Sequence, residues 1–359
     1  MTKFRVGIIG CGRPWKAEGS TGFGQGHVHA MGYKASPDCE IVAAADIKEE
    51  NLALFCEQHH IPNGYLDYKE MLSRERLDIV SVCAWTGLHA PMVMDAAQAG
   101  VRAIHCEKPM APTWGESKTM AQACVARDVQ LTFNHQRRFG QPFRRAKELL
   151  DNGAIGQLTR LEAFTYNLFD WGTHWFDMMF MYNDEEPVEW VIGQIDAREG
   201  RPVVGVMVEG QGLSFFRWRN GVHGLLLAGR KIMNPDEGTR ERLCGNRLIG
   251  TEGVIEVGVQ DGPQLRLRSV ETGNHWQDTD VSSSHGNEPT VSAVLDLVEA
   301  LKHGREPELS ARKALQATEL IFATYESSRR RGRVDLPLEI EDSPLLSMLE
   351  AGEMMAEAL

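Results

Sequence analysis

Phe4-Arg5-Val6-Gly7-Ile8-Ile9-Gly10-Cys11-Gly12 is the stretch that decides the fold. Residues 4–9 read as a buried strand. Gly10 and Gly12 permit the tight turn and close backbone approach that a pyrophosphate requires. The helix that follows then offers its N-terminal amides to the phosphates. Trp15 stands where the third glycine of the usual spacing would fall, and Phe23-Gly24-Gln25-Gly26-His27 reads as a delayed continuation. Gly24 is expected to take the third position, where helix packs on strand. The inserted residues 13–22 either fold over the nucleotide or remain a surface loop that touches nothing.

Working outward, residues 40–45 form a second apolar strand that ends at Asp46. A carboxylate there accepts hydrogen bonds from the adenosine ribose hydroxyls and repels a 2′-phosphate, which favours NAD over NADP. Capping of the next helix is the alternative role for Asp46. Strands at 79–84, 103–106 and 130–133 alternate with helices near 24–35, 49–59, 90–99 and 115–127. Short apolar strands alternating with helices predict a parallel sheet covered on both faces. Trp85 and Thr86 follow the 79–84 strand at the same carboxyl edge. Trp85 packs on a ribose or the nicotinamide, or serves as hydrophobic filler.

Beyond about residue 141 the pattern changes. A helix at 142–152 stops at Gly153. Strands follow at 158–167, 188–197, 203–208, 213–219 and 222–229, with Asn220-Gly221 as a hairpin signal. Further strands at 247–249, 254–257 and 264–269 complete a large open, mostly antiparallel sheet, closed by helices at 290–303 and 311–330. The expectation is an α/β chain with a Rossmann domain at 1–134, a substrate and oligomerisation domain at 135–340, and a helical tail at 341–359.

Bulk properties exclude several functions. The chain of 359 residues carries a net charge of -12, and so lacks the basic face that nucleic acid demands. No apolar run approaches the roughly 18 residues of a membrane span, and the start lacks the order of a secretory signal. Seven cysteines show no metal-ligand spacing. Their odd number points to reduced thiols in the cytoplasm. His27, His29, His59 and His60 are joined by no Cys or carboxylate set, so no metal site is expected.

Two segments carry candidate chemistry: Cys106-Glu107-Lys108-Pro109 and Asp170-Trp171-Gly172-Thr173-His174. A lysine, a histidine and an aspartate beside a dinucleotide can move a proton and a hydride together. Gly87-Leu88-His89-Ala90 precedes a helix, Arg138-Phe139 precedes another, and Asp177 follows His174. Tyr325-Glu326-Ser327-Ser328 and Val334-Asp335-Leu336-Pro337 close the pattern. In this order the segments resemble the Gfo/Idh/MocA oxidoreductase family, from about residue 4 to Pro337. Departures are Trp85, where the family usually shows proline, and the long glycine-loop insertion.

The resemblance implies NAD(P)-linked oxidation or reduction of sugars, cyclitols and related polyols. It implies that Lys108 binds the reacting oxygen and that His174 exchanges its proton. Asp170 would hold a neighbouring hydroxyl or orient His174. Glu107 would fix the lysine, with a cis Lys108-Pro109 bond allowed. The cofactor set is then Gly10, Gly12, Gly24, Asp46, Trp85, Thr86, His89, Glu107 and Lys108, although His89 and His27 also suit structural roles. Tyr166, Phe169, Trp171 and Trp175 lie near the proposed base; Tyr166 and Trp171 are the substrate candidates, and at least two of the four are expected to pack internally. Alternatives are an NAD-dependent lyase or glycosidase with transient oxidation, and a non-catalytic dinucleotide sensor. The open sheet face predicts a homodimer or homotetramer.

Overall fold

The computed structural model describes residues 3–18, 20, 22–233, 243–259, 262–281 and 286–354. The chain divides into two units. The first comprises Met1–Pro112, Glu116–Gln136 and Asn287–Ala314; the second comprises Thr113–Gly115, Arg137–Gly286 and Leu315–Leu359.

In the first unit, six parallel strands run β1 (Phe4–Ile9), β2 (Cys39–Ala45), β3 (Asn63–Tyr65), β4 (Ile79–Val82), β5 (Ala103–Cys106) and β6 (Gln130–Phe133). Their order is β3-β2-β1-β4-β5-β6. The chain leaves β1 toward one side and returns on the other at β4, so the sheet opens a crevice at the carboxyl end of β1. Val6, Ile8, Val80, Val82 and Ile104 are fully buried, as strands covered on both faces must be. Helices α1 (Gln25–Ala35), α2 (Glu49–His59), α3 (Tyr68–Arg74), α4 (His89–Gln98) and α5 (Trp114–Val125) connect them. The sequence pattern did not reveal β3, because Asn63-Gly64-Tyr65 has no apolar run.

The second unit begins with α6 (Gln141–Asp151), β7 (Leu158–Thr165), α7 (Gly172–Tyr182) and β8 (Val188–Asp196). Next come β9 (Arg201–Val203), β10 (Val206–Val208), β11 (Gln211–Trp218), β12 (His223–Gly229) and α8 (Arg230–Met233). Then follow β13 (Cys244–Gly250), β14 (Gly253–Val259), β15 (Leu265–Ser269) and β16 (Gln277–Asp278). The stretch expected as one strand at 203–208 is instead a hairpin, β9 with β10. Val204 and Gly205 both take positive φ, which ends an extended run.

The first unit takes back the chain at α9 (Glu288–His303). Sequence order had placed these residues with the second domain. The physical reason for the grouping is close helix packing: a Cβ on Gly32 of α1 would lie 2.6 Å from Val294 Cβ of α9. The Phe133 amide also donates to Leu309 O at 3.1 Å, extending the β6 edge.

α10 (Ala311–Arg330), β17 (Val334–Asp335) and α11 (Pro344–Glu350) complete the chain. Nine strands form one sheet in the order β16-β15-β14-β13-β7-β12-β11-β8-β17. The β7–β12 pair is parallel and its neighbours are antiparallel. β11 and β12 meet at the expected Asn220-Gly221 turn. One face buries Leu161, Val191, Phe216, Trp218 and Leu226 in a core with Phe176 and Phe180 of α7 and Phe322 of α10. The other face leaves Ile192 45% and Leu213 37% exposed. Among the described residues no helix is long and apolar enough to cross a membrane.

Candidate active site

The glycine turn at the end of β1 is built by close contacts. Gly10 and Gly12 take φ of 88° and 59°. A Cβ on Gly10 would sit 2.6 Å from Cys83 O. Among the described residues, a Cβ on Gly12 would approach only Gly24 Cα, at 4.0 Å, so they leave this side of the turn clear. The role of pressing helix on strand, expected of Gly24, belongs to Gly26: its Cβ would meet Gly10 O at 2.6 Å. Gly24 is instead the left-handed residue that starts α1. The signal was present in Gly24-Gln25-Gly26; the helix begins one residue later than expected, and the contact moves with it. In the insertion, Arg13 bonds Asn51 at 3.2 Å and Glu50 at 3.3 Å, both in the first turn of α2. Trp15 remains 61% exposed.

Asp46 closes the other side of the turn. Its carboxylate accepts from the amides of Cys11 at 2.9 Å, Gly12 at 3.0 Å and Lys48 at 2.8 Å. Lys48, rather than Asp46, is the cap of α2. After β4, Trp85 is exposed and Thr86 is buried, with no partner for the Thr86 hydroxyl among the described residues. His89 is also buried. Its Nδ1 lies 2.8 Å from Pro109 O and its Nε2 3.1 Å from Ala84 O, so the ring braces the two loops. Burial lowers its pKa against the raising influence of those carbonyls.

β5 delivers Glu107 and Lys108 to the same sheet edge, and the Lys108-Pro109 bond is cis. Glu107 is buried, which by itself would raise its pKa. Hydrogen bonding and charge from His29, a hydrogen bond from Asn134 and the charge of Lys108 outweigh this and hold it at about 2. The contacts are His29 Nε2 at 3.0 Å and Asn134 Nδ2 at 2.7 Å, both to Oε1. Behind His29 stand Ser81 at 3.1 Å from Nδ1 and Tyr33, bonded to Ser81 at 2.9 Å. The half-buried Lys108 therefore follows a fixed negative charge.

In the second unit, Asn167 organises the turn that carries Asp170. Its side-chain oxygen accepts from the Asp170 amide at 2.7 Å and the Trp171 amide at 3.2 Å. Its carbonyl accepts from Gly172 N at 2.8 Å. Asp170 and His174 are both buried, the former just before α7 and the latter in its first turn. One turn on, Asp177 receives two bonds from Arg138, at 2.7 and 2.9 Å. Arg138 also bonds Glu185 at 2.5 Å. Burial alone would lower the Arg138 pKa; the charges of Asp177 and Glu185 raise it well above its usual value. Tyr166 and Trp171 are half-buried with ring centres 5.7 Å apart, whereas Phe169 and Trp175 join the core.

Residues 4–135 match the family model described as "Oxidoreductase family, NAD-binding Rossmann fold". The match covers the nucleotide-binding part of the chain and leaves residues 136–359 outside it. The D-apiose dehydrogenase of Paraburkholderia graminis is 25% identical over 98% of this chain and 95% of its own. The myo-inositol 2-dehydrogenase of Thermotoga maritima is 30% identical over 43% of this chain and 42% of its own. A levoglucosan dehydrogenase solved with NADH and L-sorbose superposes with a TM-score of 0.77 at 21% identity, covering 94% of this chain and 100% of that one; this likeness shows the fold.

The first unit gathers Gly10, Gly12, Gly24, Asp46, Trp85, Thr86, Glu107 and Lys108 at one sheet edge, with His89 bonded between its loops. The open Gly12 face, the Asp46 carboxylate beside it and the orphaned Thr86 hydroxyl fit a dinucleotide. The second unit gathers Asp170, His174, Tyr166 and Trp171 around one turn. Sequence reasoning missed three supporting residues. His29 had been weighed only as a metal ligand, Asn134 carried no motif, and Glu209, whose carboxylate accepts from the Leu168 amide in the Asn167–Asp170 turn, lies in a loop after β10. Among the described residues no group of three or more His, Cys, Asp or Glu side chains is arranged to hold a metal.

Proposed function

We propose that the protein is an NAD-dependent dehydrogenase that transfers a hydride between the nicotinamide and a hydroxyl carbon of a sugar, cyclitol or related polyol. NAD, when bound, supplies the hydride acceptor or donor. Gly10, Gly12 and Gly24 shape the turn for its pyrophosphate, and Asp46 receives the ribose hydroxyls, which disfavours NADP. Lys108 binds the reacting oxygen and stabilises charge as it turns toward alkoxide. His174 takes the hydroxyl proton in oxidation and returns it in reduction. Asp170 holds a neighbouring hydroxyl or orients His174. Tyr166 and Trp171 offer aromatic faces to the apolar side of a ring.

The observation that carries this reading is Lys108, directly after the ionised Glu107, at the carboxyl end of β5 in an NAD-binding Rossmann unit. Incubation of the purified protein with NAD and a polyol panel tests it. Net NADH formation with one of these substrates is the expected result. Product release without net NADH would point to the transiently oxidising lyase, and NAD binding without turnover of any substrate to the sensor. We further propose that the second unit assembles a dimer or tetramer through its open sheet face, supported by the exposure of Ile192 and Leu213. A monomer by light scattering would contradict this. All seven cysteines are free, which supports a reducing, cytoplasmic location.

A further inference from the structure

Glu209 is a buried carboxylate that the proposed reaction does not use. It lies between β10 and β11 and is 2% exposed. One oxygen accepts the backbone N–H of Leu168. The other accepts the hydroxyl of Tyr325, from α10, at 2.5 Å. Leu168 is the middle of the turn whose neighbours are Asn167 and Asp170. A Cβ on Gly212 would meet Leu168 Cδ1 at 2.8 Å and Glu209 Oε1 at 3.6 Å, so turn, carboxylate and β11 are closely packed. Phe169 packs on Phe322 of α10, with ring centres 6.2 Å apart, and pins the turn from the other side.

We propose that Glu209, backed by Tyr325, is a positioning residue that holds the Asn167–Asp170 turn, so that Asp170 and His174 keep their working positions while Glu209 is ionised. The proposal rests on the dehydrogenase reading for its effect on catalysis and on the geometry alone for its effect on the turn. Burial is what makes Glu209 sensitive, and the titratable groups on the elements around it are these. Asp170 follows on the turn, Tyr325 and Glu326 come from α10, and Asp196 and Glu199 lie by Gly210, whose amide donates to Asp196 O at 2.9 Å. Its own hydrogen-bond partners are neutral donors. Burial raises its pKa to about 7, against the lowering effect of Tyr325 and the Leu168 amide. On protonation the charge-assisted bond to the Leu168 amide becomes an ordinary one, and the new O–H competes for Tyr325.

Two readouts test this. The first is amide exchange of the peptide covering residues 166–175, corrected for intrinsic rate, across the neutral range. Local opening that frees the Leu168 amide while Glu209 stays buried removes a donor to the ionised form, so protection is expected to fall as pH drops through about 7, opposite in sign to global unfolding, which hydrates the carboxyl. Glu209→Gln should be flat with pH, and Tyr325→Phe should move the transition upward because it removes a donor to the ionised form. The second is the pH profile of kcat. Glu209→Gln should lower kcat about tenfold at alkaline pH with KM for NAD unchanged, the scale of one weakened charge-assisted bond. Tyr325→Phe should shift the acid limb upward, which a merely structural residue would not do. Wild-type exchange that is flat through neutral pH overturns the proposal, whatever the activity. If no polyol is turned over but exchange still follows Glu209, the latch stands and the dehydrogenase reading falls.

Discussion

Asp177→Ala should destabilise the protein strongly, through the charge it leaves behind. The Arg138 side chain is 1% exposed and that of Asp177 2%. Two guanidinium bonds of 2.7 and 2.9 Å and a third to the Asp177 carbonyl at 3.1 Å tie the segment before α6 to α7. Breaking a buried pair by removing one partner typically costs about 3–5 kcal/mol, because the remaining charge is uncompensated. Glu185, 19% exposed, stays bonded to Arg138, which places the loss at the lower end, about 3 kcal/mol. At roughly 2–4 °C per kcal/mol for a body of this size, the expected fall in Tm is about 6–12 °C. Thermal melts followed by far-UV circular dichroism, with urea midpoints at constant m, measure it. Replacing both partners, Arg138→Met with Asp177→Leu, should be less damaging than Asp177→Ala alone. A Tm shift below about 2 °C for Asp177→Ala, or strict additivity with Arg138→Ala, would refute the reasoning.

Lys108→Met should lower kcat/KM about 10²–10³-fold and His174→Asn about 10²–10⁴-fold, with NAD affinity by fluorescence titration little changed. Asp46→Ser should narrow the preference for NAD over NADP, read as the ratio of the two dissociation constants; an unchanged ratio would remove Asp46 from the ribose site. Gly26→Ala puts a methyl 2.6 Å from Gly10 O and should cost about 1–3 kcal/mol in urea unfolding together with a loss of NAD affinity. Glu209 has its folded pKa raised from 4.5 to about 7, so the native state holds the extra proton between these values. Stability from this group is full below the lower value and falls as pH rises to the upper one, by about 3 kcal/mol in all. Urea unfolding at the two ends of that window should show the fall in wild type and not in Glu209→Gln.

The parts of the fold and site that were legible are those whose signals are local. The β1 strand and its glycines, Asp46 at the end of β2, Lys108 at the end of β5 and the Asn220-Gly221 hairpin each combine a residue type with a nearby period or turn. Misplaced features depend on contacts without such a period. α9 joins the first unit because Gly32 admits Val294, and nothing near residue 290 announces that. Gly26 was overlooked because the helix start, which sets the contact, is the least certain boundary in a sequence. The ion pair of Arg138 with Asp177, and the bonds of Glu107 with His29 and Asn134, join side chains from separate elements. Their identities alone leave too many pairings open.

Two of the buried glutamates, Glu107 and Glu209, show how partners, more than burial, decide what a carboxyl does here. Glu107 meets His29 and lies beside Lys108, and its pKa falls to about 2. Glu209 meets a hydroxyl and a backbone amide, and its pKa climbs to about 7. Burial opposes ionisation in both; only at Glu107 do hydrogen bonding and charge from His29, the Asn134 hydrogen bond and the Lys108 charge overcome it. The consequence for the proposed chemistry is asymmetric. Glu107, directly before Lys108, keeps its negative charge over the whole neutral range. The turn bearing Asp170 is instead held by a carboxylate that gains its proton within that range. Acid inactivation should therefore begin at the Asp170–His174 side, and replacing Glu209, not Glu107, is what should broaden the pH profile of the enzyme.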